Sequence, residues 1–197
     1  MNGFDRRVAR TRRLLIDALI KLIVEDGYDA VTIRGIVKKA DVNRSTFYLH
    51  FRDKQDILNY MENEVLSELA AAIRNPNYTY ESALWDYKIL KRPIQSAIAL
   101  FEHVEKYASL YRTILVEKDF RARVTQVTST ELFSFLPNEL EVAFVSNGII
   151  GLILYWLENG MKETVTEMSL WLTRFSLSRF SDVSDRLYVT FGSSFRS

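Results

Sequence analysis

Between Asn43 and Lys54 the chain gathers hydroxyl, amide and cationic side chains at close intervals: Asn43, Arg44, Ser45, Thr46, Tyr48, His50 and Lys54. These are hydrogen-bond donors and positive charges, the chemistry that meets phosphate oxygens and the edges of bases. No rival constellation suits catalysis. The two histidines, His50 and His103, lack neighbours at metal-binding or catalytic spacing, and no glycine-rich nucleotide loop is present. The absence of cysteine excludes disulfides and thiolate metal sites and fits a reducing, cytoplasmic setting. No catalytic residue, metal or cofactor is therefore expected. The plainer alternative stays open for each residue: Arg44 and Lys54 as solvated charges, Tyr48 as a packed aromatic, His50 as an internally bonded side chain.

Charge points to the same end of the chain. Residues 1–54 hold 12 Lys/Arg against 7 Asp/Glu, a net of +5, while the remaining residues hold 14 against 18, a net of −4. A basic first third joined to a mildly acidic remainder suggests that only the former meets a polyanion. The arginines from Arg6 to Arg13 precede no continuous apolar run or cleavage site, so a secretion signal is not expected. The apolar stretch Val142–Leu157 is interrupted by Ser146, Asn147, Gly148 and Gly151. It is short for a bilayer, so a core or interface helix is expected there and no membrane partner.

The elements that must position the cluster can be read from periodicity and caps. Leu15, Ala18, Leu19, Leu22 and Ile23 recur at helical spacing and predict an amphipathic helix over 8–26, closed by Gly27. Thr32 then caps a short helix whose inner face is Ile33, Ile36, Val37 and Ala40. Asn43 is the next expected cap, opening a helix over 44–50 too short to be stable unpacked. Asp53, helped by Asp56, caps a fourth helix with the stripe Ile57, Leu58, Met61, Val65, Leu66 and Leu69. Two short helices separated by a tight turn and braced by longer ones make a helix-turn-helix. Phe47 is expected to be buried, while Tyr48 and His50 project outward.

The stretch TIRGIVKKADVNRSTFYLHFRDKQDIL, from Thr32 to Leu58, resembles the DNA-binding domain of the tetracycline-repressor (TetR/AcrR) family. The specific part is Ala40, Val42, Ser45, Thr46, Phe47, Tyr48, His50, Phe51 and Lys54 behind an amphipathic helix ending near Gly27. It covers positions 10–60. The resemblance implies an all-α homodimer, with a three-helix DNA-binding domain ahead of a variable regulatory domain. It implies phosphate contacts from Tyr48 and Lys54, base or phosphate contacts from Arg44, Ser45 and Thr46, and a supporting backbone contact from Thr32. Asn43–Arg44 departs from the usual pattern, which bears on operator sequence and not on fold. The segment from Gly148 to Met161 more loosely resembles a subgroup that includes co-activators of dihydroxyacetone-kinase genes.

Behind the head, Asn75–Pro76–Asn77 is expected to open a loop, and helices are expected over 93–106, 110–115, 120–136, 139–159 and 163–177, about nine in all. Pro93 fits a first helical turn, Pro137 separates two helices, and Gly160 stops the longest. Three regions follow: a DNA-binding domain over 1–54, a helical regulatory and dimerisation domain over 55–180, and a tail over 181–197 with little helical pattern. Val145, Ile149, Leu152, Ile153 and Trp156, with Met168, Leu172 and Phe175, are expected at a two-fold dimer interface. Phe101, Tyr107, Tyr111, Phe133 and Phe144 are candidates to line a pocket for a small apolar effector, although aromatics at helical spacing serve cores as readily. The resulting expectation is a transcriptional regulator on a palindromic operator, a repressor released by an effector. The alternative is a co-activator or helical interaction module acting through a protein partner.

Overall fold

The computed structural model describes residues 3–74, 84–134, 136 and 138–178. The expected loop at Asn75–Pro76–Asn77, Pro137 and the tail 181–197 lie outside the described residues. Nine α-helices and one π-helical turn make up the described chain, which contains no strand: the fold is all-α. In order they are α1 (Gly3–Asp26), α2 (Ile33–Ala40), α3 (Arg44–His50), α4 (Lys54–Ile73), α5 (Gln95–Lys106), α6 (Ala108–Ile114), α7 (Lys118–Leu132), α8 (Glu139–Glu158) and α9 (Val165–Ser178). The π turn, Asp86–Leu90, lies between α4 and α5 and has no counterpart in the sequence reading.

The chain falls into two compact units. The first combines Met1–Glu68 with Tyr107–Arg121, so it takes in α1, α2, α3, most of α4 and the later helix α6. Its core contains Leu15, Leu19 and Ile23 of α1, Ile36 of α2, Phe47 of α3, Ile57 and Met61 of α4, and Tyr111 of α6, all buried. α1 packs against α2, α3 and α6. Tyr107, just ahead of α6, donates its hydroxyl proton to the Glu68 carboxylate at 3.0 Å. Burial works against the charge of Arg13, but the Asp17 carboxylate and the Tyr107 hydroxyl hold its guanidinium above the ordinary range.

The second unit combines Leu69–Lys106 with Ala122–Ser197. Its α5 packs against α9, and the Ile94 N–H donates to the Thr173 hydroxyl at 3.0 Å. Pro93 precedes this helix and Ile94 occupies its cap position, since Ala97 and Ile98 both donate to the Ile94 carbonyl. The proline thus lies just outside the turn it was expected to start. Trp156 of α8 sits edge-on to Phe101 of α5, centroids 5.4 Å apart, and its indole N–H donates to the Glu163 carbonyl at 2.8 Å. Gly160, at φ +77°, ends α8 in the left-handed region that suits glycine. Thr164 and Glu167 then form a reciprocal capping box at the start of α9.

α8 alone among the described helices has the length and apolarity of a membrane span. One side of it is instead committed to the core, through Val142, Ile149, Ile150, Ile153, Trp156 and Leu157.

Candidate nucleic-acid interface

The placement of the cluster starts from short-range caps. Thr32 holds extended backbone before α2, and its Oγ1 accepts the Gly35 N–H at 3.1 Å. That satisfies one of the orphan donors at the helix start, and among the described residues the threonine's own hydroxyl proton meets no acceptor. Gly35 sits close under this bond: a Cβ there would stand 3.3 Å from the Thr32 oxygen, a tight contact that a small shift of the threonine side chain would relieve. α2 ends with Asp41 in the left-handed region at φ 53°, its turn closed by the Val42 N–H on the Val37 carbonyl at 3.0 Å.

Asn43 occupies the cap position of α3, but its side chain makes no cap hydrogen bond. This corrects the expected capping role and leaves the exposed amide available to an outside partner. α3 is held by its inner face. Phe47 is fully buried, with Phe51 at 5.9 Å and Phe51 packed on Tyr60 at 5.6 Å. With that face pinned, Arg44, Ser45, Tyr48 and Leu49 turn outward, and Thr46 and His50 are half-buried at the edges. An Arg44 Nη donates to the Tyr48 hydroxyl at 3.2 Å, and the guanidinium lies 5.7 Å from that ring centroid. The two side chains therefore hold each other in place on the outer face.

His50 projects less than expected. Burial, then the nearby Arg12 guanidinium, pushes its pKa below the ordinary 6.5, so the neutral imidazole is favoured at neutral pH. Lys54 also has work inside the protein. Its ammonium donates to the carbonyls of Tyr28, at 3.1 Å, and Asp29, at 3.5 Å, and lies 4.2 Å from the Tyr28 ring centroid. It ties the α1–α2 turn to the start of α4. Asp53 caps α4 through the Asp56 N–H at 2.8 Å, and Asp56 accepts the Arg52 N–H at 2.9 Å. That backbone bond, with the Arg52 side chain, holds the Asp56 carboxyl below its ordinary pKa range.

Two participants escaped the sequence reading. Leu49 is 82% exposed on the outward face of α3, although it sits four residues from Ser45 at helical spacing, which could have revealed it. Tyr28, the seat of the Lys54 ammonium, gave no periodic signal because it lies in a turn.

The effector candidates are divided between the units. Tyr107 and Tyr111 are buried in the first, while Phe101 of the second is spent on Trp156. Phe133 and Phe144 are exposed. Of the expected interface set, Ile153, Trp156 and Met168 are almost wholly buried within the protomer, and Ile149 and Leu172 nearly so. Trp156 fills the core because its indole finds both an aromatic partner and a carbonyl there. Val145 and Leu152 remain partly exposed and Phe175 exposed. With Phe144, Gly148, Ile149, Leu172 and Ser176 they line an open, mainly apolar groove of about 220 Å³. Among the described residues no group of three or more His, Asp or Glu could hold a metal ion.

Against this geometry, the family profile of bacterial regulatory proteins of the tetR family matches residues 15–61, and that of a transcriptional regulator C-terminal region matches residues 91–177. The HTH-type transcriptional regulator YxbF of Bacillus subtilis is 28% identical over 158 residues, 79% of this chain. The chain spans only 42% of that relative's length. The biofilm operon icaADBC negative transcriptional regulator IcaR of Staphylococcus epidermidis is 24% identical over 179 residues, covering 85% of this chain and 91% of IcaR. A tetR-family regulator from Streptomyces coelicolor has the same fold, with a TM-score of 0.65 at 18% identity over 91% of this chain and 89% of its own.

Proposed function

We propose that the chain is a helix-turn-helix regulator of the tetR type, as the matches over residues 15–61 and 91–177 support, and that it binds a palindromic DNA operator as a homodimer and regulates transcription there. The observation that carries this reading is the outer face of α3. Asn43 at the cap position and Arg44, Ser45 and Tyr48 on the helix are exposed, while Phe47 locks the other side of this short helix into the core. Such a helix can enter a major groove without disturbing the core that holds it. Arg44 and Ser45 meet base edges in this reading. Tyr48, the free proton of Thr32 and the charge of Lys54 meet phosphates. Repression, released by a small effector, is the sign of control we favour, because IcaR, matched over most of both chains, is named as a negative regulator. The likeness to dihydroxyacetone-kinase co-activators is not carried forward, since the C-terminal match has only a general regulator description.

The dimer reading rests on the outer side of α8 and α9. Leu140, Phe144, Tyr155, Trp171 and Phe175 are exposed there, and Gly148 and Gly151 have open space where a Cβ would stand. Large apolar side chains flanking two glycines suit close approach of a second copy's helices, burying apolar surface that otherwise faces water. A two-fold pair presents two α3 helices to two half-sites. The test is a salt-dependent gel shift on the DNA upstream of the protein's own gene against scrambled competitor, with sedimentation in parallel. Discrete competitor-resistant binding by a dimer is expected. A monomer at micromolar concentration sinks the dimer, and equal loss of both duplexes with salt sinks sequence-specific recognition.

A further inference from the structure

Among the described residues nothing covers most of the Leu49 side chain. It is 82% exposed on a seven-residue helix whose other large apolar residue, Phe47, is fully buried. Its neighbours on the outward side are Ser45, one helical turn back, and Tyr48, with Arg44 and Arg52 also exposed. The surroundings are cationic and hydrogen-bonding, which fits a polyanion better than an apolar protein surface. On a major-groove floor, thymine alone among the four bases offers an apolar group, its C5-methyl. Against the other bases a leucine would strip water from donors or acceptors and return no hydrogen bond.

We propose that Leu49 reads the C5-methyl group of a thymine in each half-site and so adds an apolar determinant to the polar readout from Arg44 and Ser45. The inference rests on the DNA-binding reading above and names a base for one residue of that face. Removing one buried methyl group corresponds to about a fourfold loss of affinity per half-site, or about fifteenfold for two symmetric half-sites.

The probe is a duplex selected from a random pool by the wild-type protein, with each thymine replaced in turn by deoxyuridine, which deletes the methyl alone. Affinities are read by fluorescence anisotropy for the wild type and for Leu49→Ala, with circular dichroism as the check on folding. One symmetric pair of positions should weaken wild-type binding by the stated factor, while Leu49→Ala binds the thymine and deoxyuridine duplexes alike. An equal penalty for both proteins, or no sensitive position in a specifically bound duplex, overturns the role of Leu49 and leaves the DNA-binding reading standing. Failure of the wild-type protein to select any sequence overturns both, and a leucine-dependent association between protein molecules without DNA reassigns the residue to a protein contact.

Discussion

Thr32 gives a test in which one side chain serves folding and function through different atoms. Its oxygen accepts the Gly35 N–H at 3.1 Å, while the proposed phosphate contact uses its hydroxyl proton. Thr32→Ala removes both. The lost cap is worth about 1 kcal/mol, because the site is exposed and no cavity opens. In a chain of this size that is a fall of about 2–4 °C in Tm. Thr32→Asp keeps an acceptor for the Gly35 N–H and adds a negative charge at the positive end of α2, so stability should change little or rise by about 0.3–1 kcal/mol. The same variant has no proton to donate and repels a phosphate. Operator affinity should then drop by at least about tenfold per half-site, the size of a lost hydrogen bond to a charged group. Thermal melts and anisotropy titrations on the two variants separate the roles. Wild-type affinity in Thr32→Asp would refute the phosphate contact, and an unshifted melt in Thr32→Ala would refute the cap.

Asp41 closes α2 at φ 53°, where a Cβ is strained, so Asp41→Gly should stabilise the protein by about 0.5–1 kcal/mol in urea unfolding. His50 titrates below 6.5 in the folded state, so the unfolded chain binds its proton first as pH falls. Stability from the neutral imidazole is present above about pH 6.5 and declines below it; His50→Gln should flatten the urea midpoint between about pH 7 and 5 relative to wild type. Trp156→Ala should cost about 3–5 kcal/mol through the cavity left beside Phe101, whereas Trp156→Phe should cost about 1–2 kcal/mol with the Glu163 carbonyl left unpaired. If either Trp156 variant instead dissociates a dimer without lowering the melting temperature, the core assignment of the tryptophan is wrong.

The all-helical plan and the head were legible because their signals are local. Gly27, Thr32 and Asp53 mark helix ends through bonds spanning three or four residues, and the end of α1 and the heads of α2 and α4 fall where those residues predict. Side-chain direction was less legible. Asn43 has the right type for a cap and the right backbone, yet its amide turns away. Lys54 reaches back to Tyr28, a partner 26 residues earlier in sequence. Trp156 and Leu152 are four residues apart on one apolar helix, and only packing against α5 separates core from surface there. The wide apolar face of α8 predicts that something covers it, without distinguishing its own domain from a second copy.

The make-up of the first compact unit also sets an order of events during synthesis. That unit draws on Tyr107–Arg121 as well as on the N-terminal stretch. α1 packs on α6, and Glu68 accepts a hydrogen bond from Tyr107. A nascent chain that has just released α4 from the ribosome therefore lacks part of the unit's packing. At ordinary elongation rates it waits several seconds, on the order of 3–10 s, before the missing segment emerges. A gene fragment ending shortly after α4 should behave as an incompletely packed head, and a fragment meant to carry the head alone must be designed to include the later segment or to replace its surface.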